Sequence, residues 1–316
     1  MSQLSFASLT KKKKAIRTEV FLNEMNGVIP WKEIINVIQP HYYRGKTGRK
    51  PMGLELMLRI YFLQQWFNLG DPTVEEAVYD RLSFQKFLKI DLMCDEIPDE
   101  TTILNFRHLL EEHDLTKKIL NKVNVLLEEK GVLLKQGTIV DATLIEASGS
   151  TKNKEKKRDP EMSSTRKNGK WHFGMKLHIG ADAKSGLIHS LEATTAKESD
   201  KSMLFELLHG KEDAVFGDKG YVSRKDKRLA REAEIYWGVL DRPGSTRKLS
   251  TKQKKRNKKL SSVRSKVEHP FQVIKHLWGY SKVRYKGLEK NSKQLFTLAA
   301  LYNLYRVRKK PSFCWS

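Results

Sequence analysis

The sequence predicts an α/β chain in two parts: a helical region first, then a mixed sheet flanked by helices. Three observations predict it. The chain is 316 residues long, enough for about two domains. Its hydrophobic period changes near Gly131, from helical spacing to short β-branched runs. The charge changes at the same place: residues 1–130 hold 19 Lys and Arg against 18 Asp and Glu, whereas residues 131–316 hold 41 against 19.

The helical part, residues 1–130, reads in order. Leu54, Met57, Leu58, Tyr61 and Phe62 recur at helical spacing. Asp71-Pro72 offers an N-cap followed by proline at the first helical position. Asp99 is placed to cap a helix through about His113, with Ile103, Phe106 and Leu110 on one face. A further helix from Leu115 buries Ile119, Val123 and Leu126 and stops at Gly131. Thr101, Thr102, Asn105, Arg107 and His108 lie on a helix of the kind that reads a DNA groove, although an ordinary solvated face carries the same residues.

In the second part, residues 131–316, Gly137 to Ile145 (GTIVDATLI) is a short β-branched strand. Trp171 to Ile179 alternates as a strand, Ala181 to Gly186 forms a hairpin-type loop, and Leu187 to Thr195 returns as a strand. A helix fits Lys201 to His209. A strand from Ala214 ends at Asp218, followed by a helix from Ser223 to Ala233 and a strand from Ile235 to Leu240. The basic, apolar-poor stretches 150–170 and 242–260 read as loops that a polyanion orders.

The net charge of +23 favours a polyanionic partner, nucleic acid or an acidic membrane face. Two cysteines, Cys94 and Cys314, exclude a disulfide framework and a four-thiolate zinc site. The N-terminus shows Lys11 to Lys14 instead of an apolar signal segment. The most apolar stretch, Met52 to Phe67, carries Glu55, Arg59, Gln64 and Gln65, too polar for a membrane span. A soluble chain of a reducing compartment is expected.

Three carboxylates stand out by position. Asp141 lies inside an apolar strand, Asp218 closes a strand at a Gly-Asp-Lys-Gly-Tyr turn, and Glu268 sits in the most basic region, where residues 242–316 hold 21 basic residues and two acids. A buried carboxylate needs a cation or a set of hydrogen bonds. Two like charges about 4 Å apart cost about 4 kcal/mol at an effective dielectric near 20. Three acids brought together therefore call for Mg²⁺ or Mn²⁺, and two such ions suit an in-line phosphoryl displacement. Taken singly, Asp141 and Asp218 also read as turn or capping residues. On the helix through Glu268, residues Arg264, Glu268 and Lys275 share a stripe roughly 40° wide beside an apolar stripe of Val263, Val267 and Ile274. Pro270 removes the bond to the Lys266 carbonyl and predicts a kink.

These residues resemble the DDE transposases of bacterial insertion sequences, particularly the group named after insertion sequence five. The matching runs are GTIVDATLI at 137–145, WHFGMKLHIG at 171–180, FGDKGY at 216–221, VRSKVEHPF at 263–271 with Lys275, and YKGL at 285–288. The helical region from Arg49 to Arg107 matches too, so the likeness spans about residues 40–308. It implies a ribonuclease-H-like catalytic domain over 131–316, with Asp141, Asp218 and Glu268 as the catalytic, metal-binding triad. It places Arg264 and Lys275 in the family's Tyr-x2-Arg-x3-Glu-x6-Lys signature, with Ser261 standing where the family has tyrosine. The implied activity is water attack on a phosphodiester at the element end, then attack of the freed 3′-hydroxyl on target DNA. A homodimer on paired ends, double-stranded DNA as partner, no membrane, and a cytoplasmic, nucleoid-associated location follow from the same likeness. Residues 1–130 are then expected to bind the element ends.

Other signals are weighed beside these. Gly45-Lys46-Thr47 imitates a phosphate loop, but Pro40 stands where a glycine is required, and no strand precedes it. No His-x-His pair exists, and His172 and His178 lack a cysteine partner and read as solvated or core residues. Trp171 and Trp237 read as core residues, whereas Trp278 suits core packing or base stacking equally. Lys252 to Leu260 holds six basic residues in nine and no acid, which favours phosphate contact through Lys254, Lys255, Arg256, Lys258 and Lys259. A non-catalytic DNA-binding protein and a nuclease that cuts without joining are the alternative readings.

Overall fold

The computed structural model describes residues 16–42, 50–152, 154, 156–244 and 248–309. Lys11 to Lys14, Gly45-Lys46-Thr47, Arg247 and Cys314 lie outside the described residues.

Seven helices open the described chain: α1 (Arg17–Val28), α2 (Trp31–Ile38), α3 (Leu54–Phe67), α4 (Asp71–Asp80), α5 (Leu82–Leu88), α6 (Glu100–Glu112) and α7 (Leu115–Glu129). Asp99 caps α6 as expected, its carboxylate accepting from the Thr102 amide at 2.7 Å. Gly131 ends α7 at φ +65, a conformation open to glycine. At α4 the boundary shifts by one: Gly70 is the N-cap and Asp71 the first helical residue. The Asp71 carboxylate accepts instead from Gln64 at 2.7 Å and from Arg107 at 3.0 Å. Of the leucine pair near the end of α7, Leu127 is buried and Leu126 half-buried.

The second part is a six-stranded mixed sheet, β1 (Gly137–Glu146), β2 (Ser163–Lys167), β3 (Lys170–Asp182), β4 (Ile188–Thr195), β5 (Ala214–Gly217) and β6 (Tyr236–Val239). Its order is β2-β3-β1-β5-β6, with β4 also paired to β3. The β1–β3, β2–β3 and β3–β4 pairs are antiparallel, whereas β5 runs parallel to both β1 and β6. Later helices are α8 (Arg224–Glu232), α9 (Thr251–Arg264), α10 (Glu268–Gln272) and α11 (Leu288–Val307). One face of β1 presents Ile139 and Ile145 to the cluster that includes Val267, Ile274 and Leu298. The other presents Val140 to a small cluster with Leu204, Leu207, Val215, Tyr221 and Val239. α11 returns to pack on α7, α1, α3 and β4, so one core continues across Gly131.

Four expectations need correction. The stretch 150–170 contains β2, which pairs with β3 through a tight turn at Asn168 (φ +50) and Gly169 (φ +79). Positive φ at both central residues makes this the hairpin turn that Asn-Gly favours. The stretch 242–260 contains most of α9. Its start is a capping box: Ser250 and Gln253 bond each other's backbone amides, at 3.2 and 2.9 Å. Lys201 to His209 is not an α-helix but two 3₁₀ turns, Lys201–Met203 and Phe205–Leu207. Trp171 is not a core residue; it is 72% exposed, whereas Trp278 is 3% exposed.

The irregularity expected at Pro270 falls just before it. The ladder tightens to 3₁₀ at Ser265–Val267, and a π turn at Val273–Leu277 follows α10. The missing proline amide removes the bond that would have joined those turns. Among the described residues, no helix is long and apolar enough to cross a membrane.

Candidate active site

Asp141 stands at the point where β1 loses its parallel neighbour. The last paired positions are Ile139 and Phe216. Asp141 and Asp218 each lie two residues further along, so the two acids take matching positions, Asp141 on β1 and Asp218 just past the end of β5. A short neighbouring strand is what exposes them: β1 is fully buried through Val140 and half-buried from Asp141 to Leu144.

Each acid is held differently. Asp141 Oδ1 accepts from the Ala142 amide at 2.8 Å, and Oδ2 accepts from Arg264 at 2.7 Å. Asp218 caps the 3₁₀ turn Lys219–Tyr221, its Oδ1 accepting from the Gly220 amide at 2.7 Å. A Cβ on Gly220 would lie 2.9 Å from that oxygen, so a larger residue there would push the Asp218 carboxylate aside. Glu268 is exposed and accepts from Arg264 at 2.6 Å. Arg264 therefore joins Asp141 to Glu268 with the two arms of one guanidinium, a planar fork suited to two carboxylates.

Burial pushes the Asp141 carboxyl up to about 6, with the Ala142 amide and the Arg264 guanidinium opposing, and Asp218 and Asp200 adding to the rise. The same acids raise the fully buried Tyr221 phenol, after burial itself; its hydroxyl has no hydrogen-bond partner. Tyr221 and Asp200 thus border the site, and sequence reasoning did not single out either as functional. Asp200 is joined to Lys176 at 2.8 Å. No local pattern marks Asp200; only the fold brings it near β1.

The donors are all hard oxygens, the chemistry Mg²⁺ and Mn²⁺ prefer. Their positions are another matter. Among the described residues, no three acids, histidines or cysteines are grouped closely enough to hold a metal ion. Between Asp141 and Glu268 the positive charge is an arginine, which would have to let go before those two acids served a cation.

Lys275 leaves the predicted stripe. Its ammonium donates to Thr143 Oγ1 at 3.1 Å and to the Leu144 carbonyl at 2.8 Å, and no bond joins it to Glu268. The 3₁₀ and π turns change the helical phase that the stripe assumed. Burial lowers the Lys275 pKa, and Lys167 nearby lowers it further against Glu146.

Of the basic run, Lys254, Lys255, Lys258 and Lys259 are exposed on α9. Arg256 is a correction to the expected phosphate contacts. It is half-buried and donates to the Trp237 and Val239 carbonyls and to Asp241, at 2.7, 3.1 and 3.0 Å. Arg107 is likewise committed inside the helical part, paired with Asp71 and Glu111 at 3.0 and 3.2 Å. His178 is a core histidine bonded to Thr194 at 2.8 Å, its pKa lowered by burial to about 4.

Two family models match the chain. Residues 133–304 match the Transposase DDE domain, and residues 10–109 match a Transposase domain, DUF772. Among solved structures, the chain is similar to one titled as the cryo-EM structure of the piggyBac transposase synaptic complex with hairpin DNA. The identity is 10% and the TM-score 0.42, over 97% of this chain and 79% of that one. It is also similar to one titled as the crystal structure of the Mos1 strand transfer complex, at 13% identity and a TM-score of 0.21, over 76% of this chain and 82% of that one. The first match takes in both strands that carry the paired aspartates and the helix that carries Glu268, and it covers more than half of the chain: this protein belongs to the Transposase DDE domain family.

Proposed function

We propose that this DNA transposase binds the ends of its insertion sequence, cuts them and joins them to target DNA. One observation carries the reading: Asp141 on β1 and Asp218 just past the end of the parallel β5 lie at matching positions, and Glu268 reaches Asp141 through a shared arginine. The sheet and its flanking helices fit a ribonuclease-H-like catalytic domain, and residues 1–130 suit a DNA-end-binding part. A member of the bacterial insertion-sequence-five group would act in the cytoplasm on nucleoid DNA, as a homodimer on paired ends.

In this reading Asp141, Asp218 and Glu268 would hold Mg²⁺ or Mn²⁺, two ions, once Arg264 lets go and the acids draw together, and the metal would supply Lewis-acid chemistry for the phosphodiester. The chain's own contribution is to keep the Asp141 carboxylate partly desolvated, so that it favours a cation strongly, and to supply Arg264 as that cation until another charge arrives. The phosphate backbone is an alternative partner for the Arg264 guanidinium. Lys254, Lys255, Lys258 and Lys259 would contact DNA phosphates from the face of α9.

The test supplies element ends on a plasmid with Mg²⁺ and scores cleaved ends and joined products. Asp218→Ala and Glu268→Gln are expected to abolish both. Unchanged products would remove the triad assignment. Binding without cleavage in either metal would favour a DNA-binding protein, and cutting without joining would favour a nuclease.

A further inference from the structure

Among the described residues, the most exposed aromatic side chain is neither in the core nor at the carboxylates. Trp171 is 72% exposed near the start of β3. It pairs across the hairpin with Arg166, and the next pair outward is Lys167 with Lys170. The Asn168-Gly169 turn thus displays an indole and three cations within six residues. None of Arg166, Lys167 and Lys170 has an acidic partner among the described residues. Arg166 donates only to the Gly169 carbonyl, at 3.4 Å.

Beneath the hairpin lies a cleft. One chamber, about 570 Å³, runs between Lys167, Lys170 and Lys275 along Thr143 to Glu146. A second, about 240 Å³, shares the Thr143, Leu144 and Lys167 walls and reaches Ala142, the neighbour of Asp141. The acids in this cleft are already engaged: Glu146 with His172 at 3.0 Å, and Asp200 with Lys176 at 2.8 Å. Lys167 and Lys275 are close enough to repel. A phosphate between them would relieve that repulsion.

We propose that the β2–β3 hairpin and its cleft grip a single strand of DNA that passes over the hairpin tip, with a base stacked on Trp171 beside Arg166 on one face, phosphates on Lys167 and Lys170 on the other, and the strand running on along β1 toward Asp141. A flat aromatic face accepts any base, and neighbouring cations hold the backbone, the pairing that marks single-strand binding. The grip lies on the β3 side of β1 and the lysines of α9 on the β5–β6 side, so the carboxylates stand between two basic surfaces. The proposal rests on the transposase reading, in which a cut strand must be held apart from its complement.

The experiment measures fluorescence anisotropy of a labelled mixed-sequence strand of about 20 nucleotides, and of its duplex, with the full chain. Trp171→Ala is expected to weaken single-strand binding roughly tenfold, the loss of one stacked base. Trp171→Phe should keep most of the affinity, and duplex affinity should move by less than about threefold. Lys167→Gln with Lys170→Gln should flatten the logarithmic salt dependence for the single strand by about 1.4, or 0.7 per phosphate lost. Because Trp171 is exposed, an unchanged melting temperature is expected and separates lost binding from lost folding. Single-strand affinity unchanged in Trp171→Ala, or an equal loss on the duplex, overturns the grip. Should that occur while Asp218-dependent plasmid cleavage persists, the transposase reading stands alone. Trp171-dependent binding without cleavage at element ends leaves the grip standing and the transposase reading fallen.

Discussion

Two strongly basic stretches take opposite forms. Residues 150–170 and 242–260 are both rich in lysine and arginine, yet the first contains half of a hairpin and the second most of a helix. The hairpin exposes its tryptophan and leaves three cations unpaired. The helix buries Leu260 and turns Arg256 inward to three acceptors on β6 and just beyond it. Charge settles neither outcome. An Asn-Gly pair sets one and a Ser-x-x-Gln box sets the other, each a local device a few residues long.

The largest way to break this contrast is Gly174→Ala. Gly174 is where β3 passes from β2 to β1, and a Cβ there would lie 2.1 Å from the Ile145 carbonyl. Backbone cannot yield as a side-chain tip does, so about 3 kcal/mol of stability or more should be lost, read by chemical denaturation. The hairpin would lose its place over the cleft with it.

Next comes the carboxylate between the two basic surfaces. The folded Asp141 pKa of about 6 lies above its ordinary value of 3.8. Its protonated form is therefore the one folding favours, and stability present below pH 3.8 is lost as pH rises through 6. The difference in unfolding free energy between the native chain and Asp141→Asn, in metal-free buffer, should fall by about 3 kcal/mol across that window. A flat difference would mean that Arg264 fully compensates for burial.

Arg256→Met tests the helix. It leaves two carbonyls and Asp241 without their donor, and should cost about 2 kcal/mol, with denaturation as the readout. The smallest effect belongs to Ser250→Ala, about 1 kcal/mol for the cap, visible as fraying of the α9 start in amide exchange. Should Ser250→Ala cost more than Arg256→Met, α9 would be held by its cap and not by its contact with the sheet.

What the sequence made legible follows from range. β1, β3, β4 and β5, the Asp99 cap and the Gly131 stop are written in neighbouring residues, and they appear within a few positions of where they were expected. β2 was missed because its partner lies beyond the turn, although Asn168-Gly169 marks that turn openly. α9 was missed because six cations in nine residues outweighed the capping box. Lys201 to His209 reads as helical by its apolar residues, but Leu204 and Leu207 both pack under one small cluster and the chain tightens to reach it. The three acids were named from position, but the link from Arg264 to Asp141 spans 123 residues, and no local pattern records it. Trp171 was misjudged for the same reason: an aromatic residue in an alternating strand reads as core until the neighbours of that strand are known.

The early end of β5 has a consequence for assembly. On the side of β1 that faces away from β3, no strand pairs beyond Ile139 among the described residues. That side is closed instead by the Lys275 ammonium on the Leu144 carbonyl, and by Ser281 and Val283 on the amide and carbonyl of Glu146. The sheet thus has a seam in its interior that is closed without a strand, where an open seam would be a template for an extended segment of another chain. One lysine acts as its fastener, closing with a side chain what elsewhere in the sheet a strand closes.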